Sequence, residues 1–482
     1  MHRRPHFLGS ILARGIVMSV AAGTLLIAGC ADTTLNGKPG DGNDLGDARP
    51  VTPSLDQINK KPPEKKVAIV VPPPPPVVAP PPPPPPVIVA PPPELKAPLV
   101  GPQPIRVALL LPLSGPEASL GAAMLDAAQL ALFDVGPPRM TLMPRDTHGD
   151  ADTAAEAAND VLGEGAEIIL GPVFSSAVRA VAAPARSRDV NVVAFSTDRS
   201  VAGDGTFLLA FMSDQQVDRV VNYAHQQGLS RYAALVPETA YGEDVVGAMT
   251  AAVLSNGDQM IRVERYPPNE QEVMEPAKRM AEYESRRDAL RQRRTELKYL
   301  AADDPAAAAE LEHLKKAETL GDVNYEAVMI PEGGDRLRAV APLLPFYDVD
   351  TNKVRFLGTG LWDDPTLGRE PALVGGWFAG PDPQATEAFL DRFESIYGYR
   401  PPRIVSLAYD AMALTAVLAT NAQGPDFSAT ALSDTNGFAG VDGLFRFGAD
   451  GIAVRGLAVL EILPRGFKIL DPAPKTFDKP AS

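Results

Sequence analysis

From residue 105 onward, short apolar runs alternate with longer segments in which apolar positions recur at helical spacing. The first run, 105–113, is apolar apart from Arg106 and ends in the turn residues 114–116, which is typical of a strand buried on both faces. An alanine-rich helix follows, and the same unit then repeats. Because strands and helices alternate, we predict a parallel sheet covered by helices on both faces. The predicted strands of this series lie at 105–113, 140–144, 166–170 and 190–195.

A second series of the same units begins at Gln215. Two consecutive series in roughly 380 residues agree with the usual size of two α/β domains. The fold class is therefore predicted to be α/β, with two doubly wound parallel-sheet lobes. The tail differs, because residues 443–447 and 453–463 flank the turn residues 449–451, a pattern that indicates a β-hairpin. The predicted strands of the second series lie at 232–236, 259–264, 327–330 and 354–357.

A strongly helical segment, 273–320, interrupts the second series. Asp303 and Asp304 before Pro305 divide it in two, because an acidic cap followed by proline starts a new helix. Between Lys278 and Lys298 there are eight lysines or arginines and four acidic residues, on a chain of net charge −15. We interpret the segment as a projecting helical hairpin.

The basic arm of this predicted hairpin is either a solvated insertion without a partner or a contact surface for a protein or an anionic wall polymer. Surface charges contribute little to stability, so we expect the arginines of this arm to serve docking more than folding. The candidate partner-binding residues are Arg286, Arg287, Arg291, Arg293 and Arg294.

The N-terminal region is organised differently. A cationic start precedes an apolar run from Ile16 to Ala28, which predicts a signal peptide over residues 1–29. Cys30 is the single cysteine and follows small residues, so we expect it to be the acylated N-terminus of a mature lipoprotein anchored in a membrane. Ala31 stands where an aspartate would signal retention in the inner membrane. The expected location is therefore the periplasmic face of the outer membrane.

Residues 30–104 are predicted to be a tether, flexible at first and stiff afterwards. Between Pro62 and Pro104, 20 of 43 residues are proline, so this part cannot form a packed core and adopts a polyproline helix. At about 3.1 Å per residue it reaches roughly 130 Å. The tether is either a plain spacer or a means for the body to work through or beyond the peptidoglycan mesh.

Charge and motif content argue against several functions. The net charge of −15 argues against a nucleic-acid partner, because phosphate binding needs clustered lysine and arginine. The body has three widely spaced histidines, and no phosphate loop, metal-ligand motif or nucleophile elbow stands out. His148 beside Asp146 and Asp150 suggests a weak metal site, but a polar turn explains it better. We predict no catalytic residue, cofactor or metal, and an unrecognised hydrolase is the least supported alternative.

Several short motifs together resemble the type 1 periplasmic binding proteins of the leucine/isoleucine/valine-binding kind. The signal and cysteine, the Pro-rich tether and the C-terminal motifs resemble, more narrowly, the penicillin-binding protein activators, which are lipoproteins that stimulate peptidoglycan synthases from the outer membrane. The alternative function is solute binding, of amino acids or related molecules, for a transporter or sensor. The motifs are VALLLPLSG at 107–115, LGP at 170–172, AYG at 240–242, LAYDA at 407–411, GLFRF at 443–447 and RGLAV at 455–459.

The resemblance implies two lobes joined by a hinge, with a ligand cleft between them. It places residues 105–211 and 379–440 in lobe 1, residues 212–378 and 441–470 in lobe 2, and 471–482 in a tail. Ligand residues would follow strand ends, where free N–H groups and hydroxyls bind a carboxylate; plain helix capping is the alternative. The implied ligand residues are Ser175, Ser176, Ser196 and Thr197 in lobe 1, and Tyr241, Asp335 and Trp362 in lobe 2.

Overall fold

The computed structural model describes residues 103–268 and 272–477. The predicted signal peptide, Cys30 and nearly all of the predicted tether lie outside the described residues. The body begins with lobe 1, whose parallel strands lie in the order β2-β1-β3-β4-β5. Its first elements are β1 (Ile105–Leu111), α1 (Ala118–Val135), β2 (Met140–Asp146), α2 (Ala151–Gly163), β3 (Ile168–Leu170), α3 (Ser175–Ser187), β4 (Val192–Ala194) and β5 (Thr206–Leu208).

Strand β1 shows why this sheet is covered on both sides. Successive side chains of a strand point to opposite faces. Leu109 and its alternate neighbours therefore pack against α1, whereas Ala108 and Leu110 pack against α2 and α3. A run that is apolar at every position has a buried environment on both faces, and the predicted doubly wound fold class is confirmed.

Lobe 2 is built around a larger sheet in the order β15-β14-β10-β9-β8-β6-β7, in which β6 to β10 are parallel. Two short helices of this lobe lie on either side of Pro342. The elements are α4 (Ser213–Gln226), β6 (Arg231–Pro237), α5 (Ala240–Ser255), β7 (Gln259–Tyr266), α6 (Met274–Met280), α7 (Tyr283–Leu300), α8 (Pro305–Leu314), β8 (Ala327–Met329), α9 (Gly334–Val340), α10 (Leu343–Phe346), β9 (Arg355–Gly358) and β10 (Trp377–Gly380).

The chain then returns to lobe 1 and finally to lobe 2. Helix α12 packs along α1 in the core of lobe 1. A small antiparallel sheet, β11-β12-β13, leads to two antiparallel strands on the sheet of lobe 2. These elements are α11 (Pro383–Tyr397), α12 (Ser406–Ala419), α13 (Ala429–Leu432), β11 (Phe438–Gly440), β12 (Gly443–Phe447), β13 (Ala453–Arg455), β14 (Ala458–Ile462) and β15 (Phe467–Asp471).

The segment 441–470, expected in lobe 2, is divided between the two lobes. Phe445 and Phe447 of β12 lie in the core of lobe 1, and Leu208 of β5 donates its N–H to the carbonyl of Gly451 at 2.8 Å. The predicted hairpin forms between β12 and β13. Its second strand ends before Gly456, after which β14 joins the sheet of lobe 2. Only β14 and β15 therefore follow the expected assignment.

The segment 273–320 folds as predicted into a hairpin of two helices, α7 and α8, preceded by the short helix α6. Asp304 caps α8 by accepting a hydrogen bond from the N–H of Ala306 at 2.8 Å, and Pro305 is the first helical residue. Leu290 and Leu297 of α7 pack against Ala307 and Leu314 of α8. The hairpin therefore has a small apolar core of its own.

Candidate functional site

A cavity of about 1150 Å³ lies between the lobes, next to the segments that connect them. Lobe 1 contributes the end of β4 and the turn that follows it. Lobe 2 contributes the first turns of α5 and the turn at 360–363. The first connecting segment, 210–214, lies between these two sides. The arrangement places the cavity where strand ends and helix starts of both lobes meet, which is where α/β folds commonly bind ligands.

On the lobe 1 side, the carboxylate of Asp198 accepts hydrogen bonds from the turn after β4. Its carboxylate accepts the N–H and the hydroxyl of Ser200, the latter at 2.6 Å. The same bonds, with a further one from the Ser175 hydroxyl, hold the pKa of Asp198 below its usual value despite partial burial. The N–H of Asp198 itself donates to the buried hydroxyl of Ser196. Several donors suited to a ligand carboxylate are therefore already occupied by a carboxylate of the chain.

Both arginines that line the cavity are paired with aspartates of lobe 2. Arg199, in the turn after β4, forms an ion pair with Asp214 at the start of α4. Arg403, just before α12, donates from its Nε to Asp363 at 2.8 Å. Both pairs therefore join lobe 1 to lobe 2 at the cavity wall.

Arg403 also belongs to a buried polar network beside the cavity. Its Nη2 lies 2.5 Å from the carboxylate of Asp442, a fully buried residue that also accepts the hydroxyl of Ser406 at 2.5 Å. Burial alone would lower the pKa of Arg403, but the carboxylates of Asp442 and Asp363 outweigh it and raise that pKa. Burial also raises the pKa of Asp363, and Arg403 opposes that shift. Arg403 therefore neutralises two buried aspartates.

A second buried arginine, Arg455, links the connecting segments. It ends β13, its Nε donates to the carbonyl of Ala210, and its N–H donates to the side chain of Gln215 at 3.0 Å. The ring of Phe211 lies 4.6 Å from the guanidinium of Arg455 and 5.1 Å from that of Arg403. Burial raises the pKa of Asp410, 3.9 Å from Arg455, to about 7. The first and last connections between the lobes are therefore held together by one side chain.

The structure brings some of the implied ligand residues together and places others elsewhere. Thr197 and Tyr241 line the cavity, and the hydroxyl of Tyr241 lies 2.7 Å from that of Thr359. Burial raises the pKa of Tyr241 to about 12, so this hydroxyl stays protonated near neutral pH. The three serines among the implied residues, at positions 175, 176 and 196, belong to the same side of lobe 1 but do not line the cavity.

The other two implied residues of lobe 2 lie away from the cavity. Trp362 is fully buried in the core of lobe 2 and donates from its indole N–H to the carbonyl of Ile330 at 3.2 Å. The side chain of Asp335 is fully exposed on α9 and pairs with Arg338 at 3.0 Å. Trp362 therefore supports the core of lobe 2, and Asp335 belongs to its surface.

Sequence reasoning passed over the charged residues of the cavity. It sought hydroxyls at strand ends and did not single out Asp198, Asp363 or Arg403. A local signal existed for the buried network, because Asp410 interrupts an otherwise apolar helix, 406–419. A buried charge needs a partner, so that residue pointed to an arginine distant in sequence.

Residues Asp146 and His148 form a polar turn rather than a relay of the hydrolase type. The hydroxyl of Ser114 lies 2.5 Å from the carboxylate of Asp146 and 2.8 Å from Nδ1 of His148. Asp146 also accepts backbone N–H groups, including that of Leu113 at 2.8 Å. In a Ser-His-Asp relay the carboxylate orients the imidazole. Here it contacts the serine instead, and the described residues contain no group of three potential metal ligands.

The expectation that the hairpin arginines contribute little to the fold is wrong for Arg286 and Arg294, whereas Arg293 forms a half-exposed ion pair. Arg286 is buried, and its guanidinium donates to the carbonyls of Ala281, Gly321 and Asp348. Arg293 pairs across the hairpin with both carboxylate oxygens of Glu310, and Arg294 donates to carbonyls at the end of α8.

The two remaining hairpin arginines are exposed. Arg291 pairs with Asp288 of its own helix. Across residues 272–477, Arg287 makes no hydrogen bond or ion pair. The positive excess of the arm is therefore largely neutralised within the protein, and the candidate contact surface narrows to the exposed side of α7.

Comparisons with known proteins agree with this architecture. A family model described as "Periplasmic binding protein" matches residues 104–466, which is essentially the whole described body. Among solved structures, a branched-chain amino acid ABC transporter periplasmic ligand-binding protein from Burkholderia xenovorans is similar, with a TM-score of 0.58 and 16% identity. That match covers 77% of this chain and 96% of the other. Identity this low shows the fold alone.

Two curated proteins are similar over part of their length. An uncharacterised protein of Rickettsia prowazekii is 22% identical over 169 residues, which is 35% of this chain and 45% of that protein. The Leu/Ile/Val-binding protein BraC3 of Rhizobium johnstonii is 26% identical over 164 residues, which is 32% of this chain and 45% of that protein. The chain thus matches less than half the length of either relative.

Proposed function

Because this chain belongs to the periplasmic binding protein family, we propose that it is a lipid-anchored periplasmic binding module that docks on and activates a peptidoglycan synthase. The observation that carries the proposal is the state of the cleft on the lobe 1 side. Asp198 occupies hydroxyl and N–H donors that could hold the carboxylate of an amino acid. A chain of this fold whose cleft is not prepared for an amino acid is suited to a role other than amino-acid delivery.

The ion pairs between the lobes support the same proposal. Arg403 with Asp363, and Arg199 with Asp214, join the lobes at the cavity. A transporter's binding protein opens and closes to load and release its solute, and each such pair opposes opening. Lobes joined in this way suit a protein that presents a surface to a partner.

The sequence before the body supports the proposal because it predicts a membrane anchor and a long tether. Cys30 is suited to lipid attachment, and the proline-rich segment 62–104 has a reach of roughly 130 Å at about 3.1 Å per residue. Capture of a solute needs no reach across the wall. Contact with a synthase through the peptidoglycan layer does.

The proposal is tested by reconstitution of the mature lipoprotein with a bifunctional peptidoglycan synthase from the same cell. We expect crosslinking in cells to recover the synthase, and the purified lipoprotein to raise its rate of glycan polymerisation or peptide crosslinking. A matched reaction contains the lipoprotein unfolded by heat. If neither activity changes and crosslinking recovers only a transport permease, the proposal is wrong.

Solute binding for a transporter or sensor is the second candidate, because the cavity is large and its wall includes Phe195, Phe211 and Leu407. Ligand pockets are typically mostly apolar, with a few placed polar groups. A deletion strain that loses uptake or sensing of a defined solute, while its wall crosslinking stays normal, would favour this candidate over the first.

We predict that replacing Cys30 with serine releases the protein from the membrane. The hydroxyl does not accept the thioether-linked lipid, and the acyl chains supply the membrane affinity. Fractionation of cells should move the variant from the outer-membrane fraction to the soluble periplasm. A variant that still sediments with the outer membrane would show that another segment anchors the chain.

A further inference from the structure

The charges of the interlobe cavity are unbalanced. Its wall carries four carboxylates, those of Asp198, Asp214, Asp244 and Asp363, and two guanidinium groups, those of Arg199 and Arg403. Both guanidinium groups are already paired with aspartates, one with Asp214 and the other with Asp363. The cavity therefore offers an entering ligand more negative than positive charge.

Asp244 is the carboxylate best placed to meet a ligand. It is the fifth residue of α5, is exposed, and lines the cavity. Among residues 103–268 and 272–477 it makes no hydrogen bond or ion pair. Asp244 thus presents an unpaired negative charge from the lobe 2 side.

Asp198 presents a second carboxylate from the lobe 1 side; its one cationic neighbour among the described residues, Arg179, lies 3.7 Å away and outside the cavity wall. The hydrogen bonds that Ser200 and Ser175 donate to Asp198 lower its pKa and so keep its carboxylate ionised. A ligand carboxylate would lie close to this charge. The hydroxyl of Ser200 would not be free to bind it, because that hydroxyl already donates to Asp198. Like charges at such range repel, and a carboxylate left without donors keeps its desolvation cost.

The rest of the wall is apolar or aromatic. Phe195, Met212, Ala248 and Leu361 are among its residues, and the ring of Tyr241 adds a surface that a cation can approach. A ligand with an apolar body and a positively charged end fits both properties of the wall.

We propose that the cleft binds an organic cation, an amine with an apolar body and no carboxylate of its own. The inference goes beyond activation of a synthase and does not rest on it. An amine interacts with Asp244 and Asp198 and leaves both arginine pairs between the lobes intact. An amino acid with the same side chain adds a carboxylate that the cavity opposes.

Three ligands of nearly equal shape separate the alternatives: 3-methylbutylamine, leucine and 4-methylpentanoate. We expect only the amine to raise the melting temperature of the mature lipoprotein, because a ligand that binds the folded state stabilises it by mass action. Phenethylamine, phenylalanine and 3-phenylpropanoate form a second, larger set. If leucine or either carboxylate stabilises more than its matched amine, or if no amine binds at millimolar concentration, the proposal is overturned.

Two variants locate the binding. Asp244→Asn should weaken amine binding at least tenfold in calorimetric titration. Asp335→Asn should not, because Asp335 is an exposed aspartate near the start of a lobe 2 helix but lies outside the cavity. Equal amine affinity in Asp244→Asn and the parent protein would contradict the proposal.

Asp198→Ala tests the lobe 1 side. Removing this carboxylate releases the hydroxyl of Ser200, which lines the cavity, so binding of leucine or 4-methylpentanoate should appear in the variant. The melting temperature of the variant without ligand shows that it is folded. A folded variant that still rejects both carboxylates and keeps its full affinity for the amine would overturn the part assigned to Asp198.

Discussion

Replacing Arg403 with methionine should lower the free energy of unfolding by about 3–5 kcal/mol, because removing one partner of a buried ion pair leaves an uncompensated charge. Asp442 has no exposed side-chain surface and lies 2.5 Å from this guanidinium. Asp363, on the other lobe, would lose its partner at 2.8 Å as well. Methionine keeps much of the length and apolar volume of arginine. The decrease in the free energy of unfolding is therefore due to the missing charge and not to a new cavity. Urea denaturation of the mature chain measures it.

A nearby arginine provides the control for this prediction. Arg400 pairs with Glu387 at 2.5 Å, but both side chains are largely exposed. Surface pairs contribute little, so Arg400→Met should cost less than about 1 kcal/mol. If the two variants unfold at the same urea concentration, the network around Arg403 does not stabilise the body in the way its geometry indicates.

The lobes were predictable because their sequence pattern is local. A run that is apolar at every position, such as 107–111, indicates a strand buried on both faces, and the helices between such runs supply the covering layers. The division of 441–470 was not predictable in this way. Residues 453–455 and 458–462 are both short strands with one charged residue each, and no local feature shows that they join different sheets. That depends on where β5 and β10 lie, which is a property of the whole fold.

The candidate site was predicted less well, for a related reason. Thr197 and Tyr241 follow or begin regular elements, so their position near the cleft follows from the topology. Trp362 was expected there only from the resemblance to binding proteins of this fold, but a large apolar side chain is usually stabilised best in the core. The pairing of Arg403 with Asp442 and Asp363 joins residues far apart in sequence. No spacing rule connects them.

The helical hairpin shows the same limit and leads to the second large effect. Two adjacent arginines, Arg286 and Arg287, cannot be told apart by local sequence but lie on different faces of α7. The guanidinium of Arg286 donates to carbonyls on three segments, those of Ala281, Gly321 and Asp348. It joins the start of α7 to the segment after α8 and to the turn after α10. Arg287 is exposed.

Arg286→Ala should therefore lower the free energy of unfolding by about 3 kcal/mol, since it leaves buried carbonyl groups without a donor and removes a packed side chain. Arg287→Ala should change it by less than about 0.5 kcal/mol, as is usual for exposed positions. Urea denaturation of the two variants under identical conditions measures the difference. A variant with all five arginines changed to glutamate could not separate a loss of partner binding from a loss of stability, because it buries a carboxylate at position 286. Only Arg287 and Arg291, reversed together, test docking by the exposed side of α7 without this loss. Equal stability of Arg286→Ala and Arg287→Ala would mean that the buried bonds of Arg286 contribute nothing beyond those water would provide.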